Sequence, residues 1–167
     1  MKELYLKLGE KTYRYLAVAF CFLGDLELSK YIYDKFTTPE LFDKQFEQAM
    51  VLVKEVYKKQ GVPVEWPENF KERVYLMVVT GVLLCLGFYL VFHLLNYTFF
   101  VFKKRFAHLY ITLLSWSATI LAPLMGLWIF NEWPVYGTLF VIQGFLFFFV
   151  AWGLRIYPVQ KPQPKNS

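Results

Sequence analysis

Two histidines, His93 and His108, are the side chains best suited to chemistry in this sequence. Tyr89, His93, Asn96 and Tyr97 fall on one face of a helix, because residues three and four apart are neighbours, and the run around them is almost wholly apolar. Burying a polar group in such a run is costly, and an ionisable one marks a candidate site by default. Three roles suit His93. It can hydrogen-bond a neighbouring helix, a contact worth about 0.6 kcal/mol between membrane helices. It can ligate a haem together with His108, or it can meet a quinone or lipid head group. Depth weighs against the haem pair. His108 lies three residues past Arg105, near the end of the apolar run, whereas His93 lies ten residues before Lys103, about 15 Å deep at 1.5 Å per residue. Opposed axial ligands should project from similar depths, and a mismatch of about 10 Å is hard to absorb. The expectation is a hydrogen-bonding His93, with haem or quinone binding at His93 as the alternative.

Familiar catalytic patterns are missing from the sequence. It contains no His-Glu-x-x-His, no Gly-x-Ser-x-Gly, no Walker or Rossmann glycine loop, and no pair of carboxylates inside an apolar run. Cys21 and Cys85 form no Cys-x-x-Cys and read as two small buried hydrophobes. The expectation is a protein that is not an enzyme, with no catalytic residue and no metal site.

The elements that must hold these groups follow from composition. Of 167 residues, 57% are apolar and 21% aromatic, against 45–50% apolar in soluble domains. Only 19% are charged, no acid lies between Val74 and Asn131, and Glu132 is the last acid in the chain. An ordinary soluble enzyme and a disordered chain are both excluded. The pattern predicts an all-α membrane protein: a small helical extramembrane section over residues 1–73, then a bundle of three transmembrane helices, up-down-up, over 74–157. The spans are expected at 74–102, 106–130 and 135–157, each longer than the ~20 residues that a ~30 Å hydrocarbon core requires. Lys103-Lys104-Arg105 and Asn131-Glu132-Trp133-Pro134 are the only connections, too short for anything but antiparallel neighbours. Tyr75, Trp128, Trp133 and Tyr136 at one border, and Tyr110, Trp152 and Tyr157 at the other, match interfacial aromatic belts. Residues 158–167 read as an extended polar tail.

Lys103, Lys104, Arg105, Arg155, Lys161 and Lys165 share one side without an acid among them, which makes that side the cytoplasm or matrix by the positive-inside rule. Lys103, Lys104 and Arg105 are also the expected contact for anionic lipid head groups such as cardiolipin's, at about 1 kcal/mol per charge. Close helix packing is expected along Ser115, Ala118, Ala122 and Gly126 in the second span, and along Gly137, Gly144 and Ala151 in the third. Small residues repeating in this way let helix backbones approach.

Within residues 1–73, helices are expected near 13–23, 26–36 and 39–60. Thr37-Thr38-Pro39-Glu40 carries a helix-start signal, while Gly61 and Pro63 stop the third helix. Phe42, Phe46, Met50, Val53 and Tyr57 recur at helical spacing and form a candidate partner surface. The stretch Leu16 to Leu23 is too short for a span and does not read as a cleaved signal. Gly24 is expected to end the first helix and Asp25 to cap the second. Thr12-Tyr13, Leu16, Cys21, Leu23-Gly24-Asp25-Leu26-Glu27, Ser29, Tyr33 and Phe36 resemble one helical hairpin of the pentatricopeptide or tetratricopeptide repeat type. The resemblance covers about 25 residues and implies a helical hairpin. A repeat array needs at least three units, so the families' RNA or peptide recognition is not carried over.

The expected function is that of a non-catalytic accessory or structural subunit of a multi-subunit membrane complex, supplying anchoring, subunit docking and lipid contact. A respiratory-chain or ATP-synthase complex of the mitochondrial inner membrane is the specific expectation, with a bacterial inner membrane as the alternative. Its partners would be other membrane subunits and membrane lipid, and no nucleic acid. The competing readings are a haem- or quinone-binding anchor and a small oligomeric carrier or channel.

Overall fold

The structure is a computed structural model, which describes residues 2–61 and 66–158. Among them are six helices and no strand: α1 (Lys2–Leu8), α2 (Glu10–Thr37), α3 (Pro39–Gln60), α4 (Phe70–Val101), α5 (Arg105–Ile129) and α6 (Pro134–Ile156). Three of these, α4, α5 and α6, are long and apolar enough to cross a membrane, at 32, 25 and 23 residues. Pro63, Lys161, Lys165 and nearly all of the expected tail lie outside the described residues.

The largest departure from expectation is α2. The helices expected near 13–23 and 26–36 are one continuous helix of 28 residues. Gly24 does not end it, because the glycine serves an approach between helices instead: a Cβ there would lie 2.6 Å from Gln143 Nε2. A glycine inside a helix costs only about 1 kcal/mol relative to alanine, which such packing readily offsets. Asp25 is not a cap either, since its carboxylate is occupied by Tyr97 and His93. The chain breaks earlier, at Gly9, whose φ of +78° separates α1 from α2.

The start signal of α3 also works differently. Thr38 is the N-cap residue but makes no side-chain cap bond. Its hydroxyl donates to the Asp34 carbonyl at 2.6 Å and that of Thr37 donates to the Tyr33 carbonyl at 2.7 Å. The two threonine hydroxyls thus add second bonds to carbonyls in the last turn of α2, where the Asp34 carbonyl also accepts the Thr38 N–H at 3.2 Å. At its other end α3 stops at Gly61 in the left-handed region, with φ +68°, where glycine has no steric penalty.

The helices fall into two compact units, and neither divides at residue 73. One comprises Met1–Glu27 with Leu90–Ser167, and the other Leu28–Tyr89. In the first, Phe99 of α4 meets Phe106 of α5 and Phe92 meets Tyr110. Gly126 of α5 meets Gly137 of α6 and Pro123 meets Gly144. The early part of α2 packs with them: Tyr13 meets Gly153 and Gly24 meets Gln143. Hydrogen bonds secure this packing, from Tyr13 Oη to the Val150 carbonyl at 2.5 Å and from Gln143 Nε2 to the Phe20 carbonyl at 2.7 Å. Tyr5 Oη donates to the Phe149 carbonyl at 2.9 Å, and Tyr157 Oη donates to the Tyr5 carbonyl. Tyr5, Tyr13, Ala17, Cys21, Tyr97, Phe100, Ile111 and Val150 form the core.

The second unit joins the end of α2, α3 and the start of α4. Tyr75 Oη donates to the Thr37 carbonyl at 2.7 Å. Phe42 lies against Tyr75, Phe46 against Phe70, and Trp66 against Phe70. Lys71 pairs with Asp43 at 2.9 Å.

Candidate functional site

His93 is buried in the first unit and is held from three helices. Its Nδ1 lies 3.0 Å from Asp25 Oδ2 on α2 and 3.1 Å from Tyr97 Oη on α4. Its Nε2 lies 3.0 Å from Tyr110 Oη on α5. Tyr97 donates to Asp25 Oδ2 at 2.5 Å, so a single carboxylate oxygen receives both the phenol and the imidazole. Helix periodicity explains the α4 part, because His93 and Tyr97 are one turn apart. The remaining partners are 68 and 17 residues away in sequence, and only folding brings them in.

These groups are closed off from outside. Asp25 is 2% exposed, Tyr97 1% and His93 6%, whereas Tyr110 is half-buried. Rings complete the enclosure: Phe92 meets both His93 and Tyr110 edge to face. Asn96, expected on the same stripe, instead donates to the Phe92 carbonyl at 2.9 Å within its own helix. His108 is not part of the cluster. Its ring lies over Phe100, and its Nδ1 has no hydrogen-bond partner among the described residues.

Arg14 forms a second buried polar contact on α2. Its Nε pairs with Glu10 at 3.0 Å, its Nη1 donates to the Phe100 carbonyl at 2.9 Å, and its guanidinium covers the Phe100 ring at 4.7 Å. A buried charge needs such compensation. Glu10 also meets Lys103 Nζ at 3.0 Å. That hydrogen bond, reinforced by Arg14, holds the Glu10 carboxyl below the usual glutamate range.

The other candidate residues are distributed as follows. Lys103 adopts a positive φ of 60° and reaches Glu10, while Lys104 and Arg105 are exposed. Lys104 and Arg105 line a groove of about 900 Å³ with Phe106, His108, Leu109 and Thr112. Among the small residues, Ser115, Gly126, Gly137, Gly144 and Ala151 are buried, and Ala118 and Ala122 are half-buried. The two rows meet each other: a Cβ on Gly126 would lie 2.6 Å from the Gly137 carbonyl oxygen, and one on Gly144 would collide with the Pro123 ring. On α3, Phe42 is buried and Phe46, Met50, Val53 and Tyr57 are half-buried. Much of that face is covered from within the chain by Trp66, Phe70 and Tyr75. The large apolar residues left bare on α3 are Val51, Leu52 and Val56.

Sequence reasoning missed Asp25, Tyr110, Arg14 and Gln143 as members of buried polar contacts. Asp25 carried one usable signal, an acid following the apolar run Leu16 to Leu23. Comparison with known protein families, curated proteins and solved structures finds no match to this chain. The class is therefore defined by the fold alone: an all-helical chain with three helices suited to crossing a membrane.

Proposed function

We propose that α4, α5 and α6 cross a bilayer up, down and up, and that the protein is a non-catalytic accessory subunit of a larger membrane complex. The observation that carries this reading is the presence of two bare apolar surfaces of different character. On α4–α6, large side chains such as Met77, Phe88, Leu127, Trp128 and Phe145 remain mostly exposed, as suits helices whose surroundings are lipid. On α3, Val51, Leu52 and Val56 are also bare, but they alternate with Lys54, Glu55 and Lys58. Insertion of each such charge into hydrocarbon costs several kcal/mol, so a neighbouring protein subunit is the cover we assign to that strip.

Residues 13–27 of α2 rise about 21 Å at 1.5 Å per residue and contact α4 and α6 within their unit. We read this part of α2 as lying inside the bilayer beside them. Arg14 and Asp25 are matched by partners there, which supports the reading. Anionic phospholipid such as cardiolipin would meet Lys104 and Arg105. The assembly we favour is a respiratory-chain or ATP-synthase complex of a mitochondrial or bacterial inner membrane. A haem or quinone at His93 would have to displace Tyr110 from one ring nitrogen or Asp25 and Tyr97 from the other, so His93 enters this proposal as a hydrogen-bonding residue.

The test uses the full chain at its native expression level. Alkaline carbonate should leave it in the membrane fraction, and in mild detergent it should migrate as a hetero-oligomer of fixed composition. Leu52→Glu should release it from that assembly while leaving it in the membrane. Migration as a lone monomer or homo-oligomer overturns the subunit role.

A further inference from the structure

Lys103, Lys104 and Arg105 are consecutive in sequence, but the fold gives them different surroundings. Lys103 is held by Glu10, whose carboxylate it meets at 3.0 Å. Lys104 and Arg105 are exposed and have no ion pair among the described residues. No acid lies within α5, nor anywhere between Val74 and Asn131. Glu10, the acid that reaches this loop, is already shared between Lys103 and Arg14. Two uncompensated positive charges are left, and the N-terminal end of α5 adds its dipole to the same field.

These two cations stand at one end of a groove of about 900 Å³ along α5. Its lining changes down the helix. Lys104, Arg105 and Phe106 open it, His108 and Leu109 follow, and Thr112 comes one turn later. Phe106 and Leu109 are 56% and 59% exposed. The Thr112 hydroxyl is committed to the His108 carbonyl at 2.8 Å. The lining thus runs from charged to mostly apolar between Lys104 and Thr112, about 12 Å at 1.5 Å per residue. Leu109 lies about 6 Å beyond Arg105 at the same rise. A bilayer has a polar layer of about 5–8 Å outside each face of its ~30 Å hydrocarbon core, so the change from charge to hydrocarbon falls at the matching depth. Inorganic phosphate would use the charges and leave the apolar lining bare. A molecule with an anion at one end and hydrocarbon behind it complements both.

We propose that this groove is a site for one anionic phospholipid per chain. The phosphodiester sits between Lys104 and Arg105, and an acyl chain follows Leu109 and Thr112. The site rests on the bilayer reading and not on the subunit role. It differs from a basic loop that attracts anionic lipid through its summed charge, because Lys103 takes no part.

The test is native mass spectrometry of the purified full chain in mild detergent, titrated with palmitoyl-oleoyl phosphatidylglycerol or phosphatidylcholine. The first phosphatidylglycerol should bind about thirtyfold tighter than the first phosphatidylcholine, the factor expected for two interfacial charges. Lys104→Gln with Arg105→Gln should abolish that preference, whereas Lys103→Gln should change it less than about twofold, against roughly fivefold for each cation in the groove. Leu109→Glu places an acid in the groove with both cations kept, and should abolish the preference too. All four positions are exposed, so the variants leave the core untouched. Glycerol 3-phosphate, which carries the anion without the chains, should not displace the bound lipid at equal concentration. Equal affinity for the two lipids, a Lys103→Gln loss as large as that of Lys104→Gln, or displacement by glycerol 3-phosphate overturns the proposal. Alkaline carbonate separates this failure from that of the bilayer reading. A chain that stays in the membrane without lipid preference loses the site alone, and a chain that is extracted loses both.

Discussion

At the residue scale, the ionic contact at the start of α2 joins an exposed glutamate to an enclosed arginine. The Glu10 contact with Lys103 and Arg14 lies at the start of α2, where the glutamate is 38% exposed, so solvent screening limits its value. Its carboxyl titrates below the ordinary 4.5. Stability from this contact is therefore fully present above the unfolded value and is lost as pH falls through the lower folded value. Thermal unfolding in detergent should show a midpoint that drops on acidification below about pH 4, and Glu10→Gln should flatten that drop. Arg14 is a different case, since its guanidinium is enclosed. Arg14→Leu removes the guanidinium's bond to the Phe100 carbonyl, which keeps the Lys103 N–H, and leaves Glu10 with Lys103 alone; it should lower stability by about 1.5–3 kcal/mol, the range for a hydrogen bond to a charged group.

At the element scale, the glycines separate into those that allow contact and those that do not. Gly126 faces the Gly137 carbonyl oxygen, and Gly153 faces the Tyr13 ring, with no room for a methyl group. Gly81 and Gly87 on α4 have open space at the same position. Gly126→Ala and Gly153→Ala should each destabilise by about 1–3 kcal/mol, the usual range for overpacking. Gly81→Ala should be neutral or stabilising by up to about 1 kcal/mol, because alanine is the better helix former. Reversible unfolding in mixed micelles reads both. Spacing in the sequence identified the small-residue rows, but not which partner each row meets. That depends on the rotation of α5 about its axis, which the Pro123 ring against Gly144 helps to set.

At the scale of the whole molecule, the proposed topology places some helices against lipid and others against water. Cysteine labelling tests this in a Cys85→Ser background, where the remaining Cys21 is buried. Leu23 is 52% exposed on α2 and Leu52 is 64% exposed on α3. Leu23→Cys in proteoliposomes should resist a water-soluble maleimide and react with a lipid-soluble one, since this part of α2 is read as lying inside the bilayer. Leu52→Cys should react with both. Equal aqueous reactivity at the two positions would remove α2 from the bilayer.

What the amino-acid sequence determined by itself was the kind of molecule: helices without strands, and three of them suited to a membrane. Those properties follow from hydropathy and from residues no more than a few turns apart. Only the tertiary structure decided that α2 is one helix rather than two. The glycine that suggested a break is a contact surface, and the acid that suggested a cap is a partner for His93 and Tyr97. The physical reason is range. A cap, a turn or an apolar stripe is specified by near neighbours, whereas an Asp25 carboxylate 68 residues from its histidine has no local signature, and its burial becomes affordable only once α4 and α5 bring their polar groups to it.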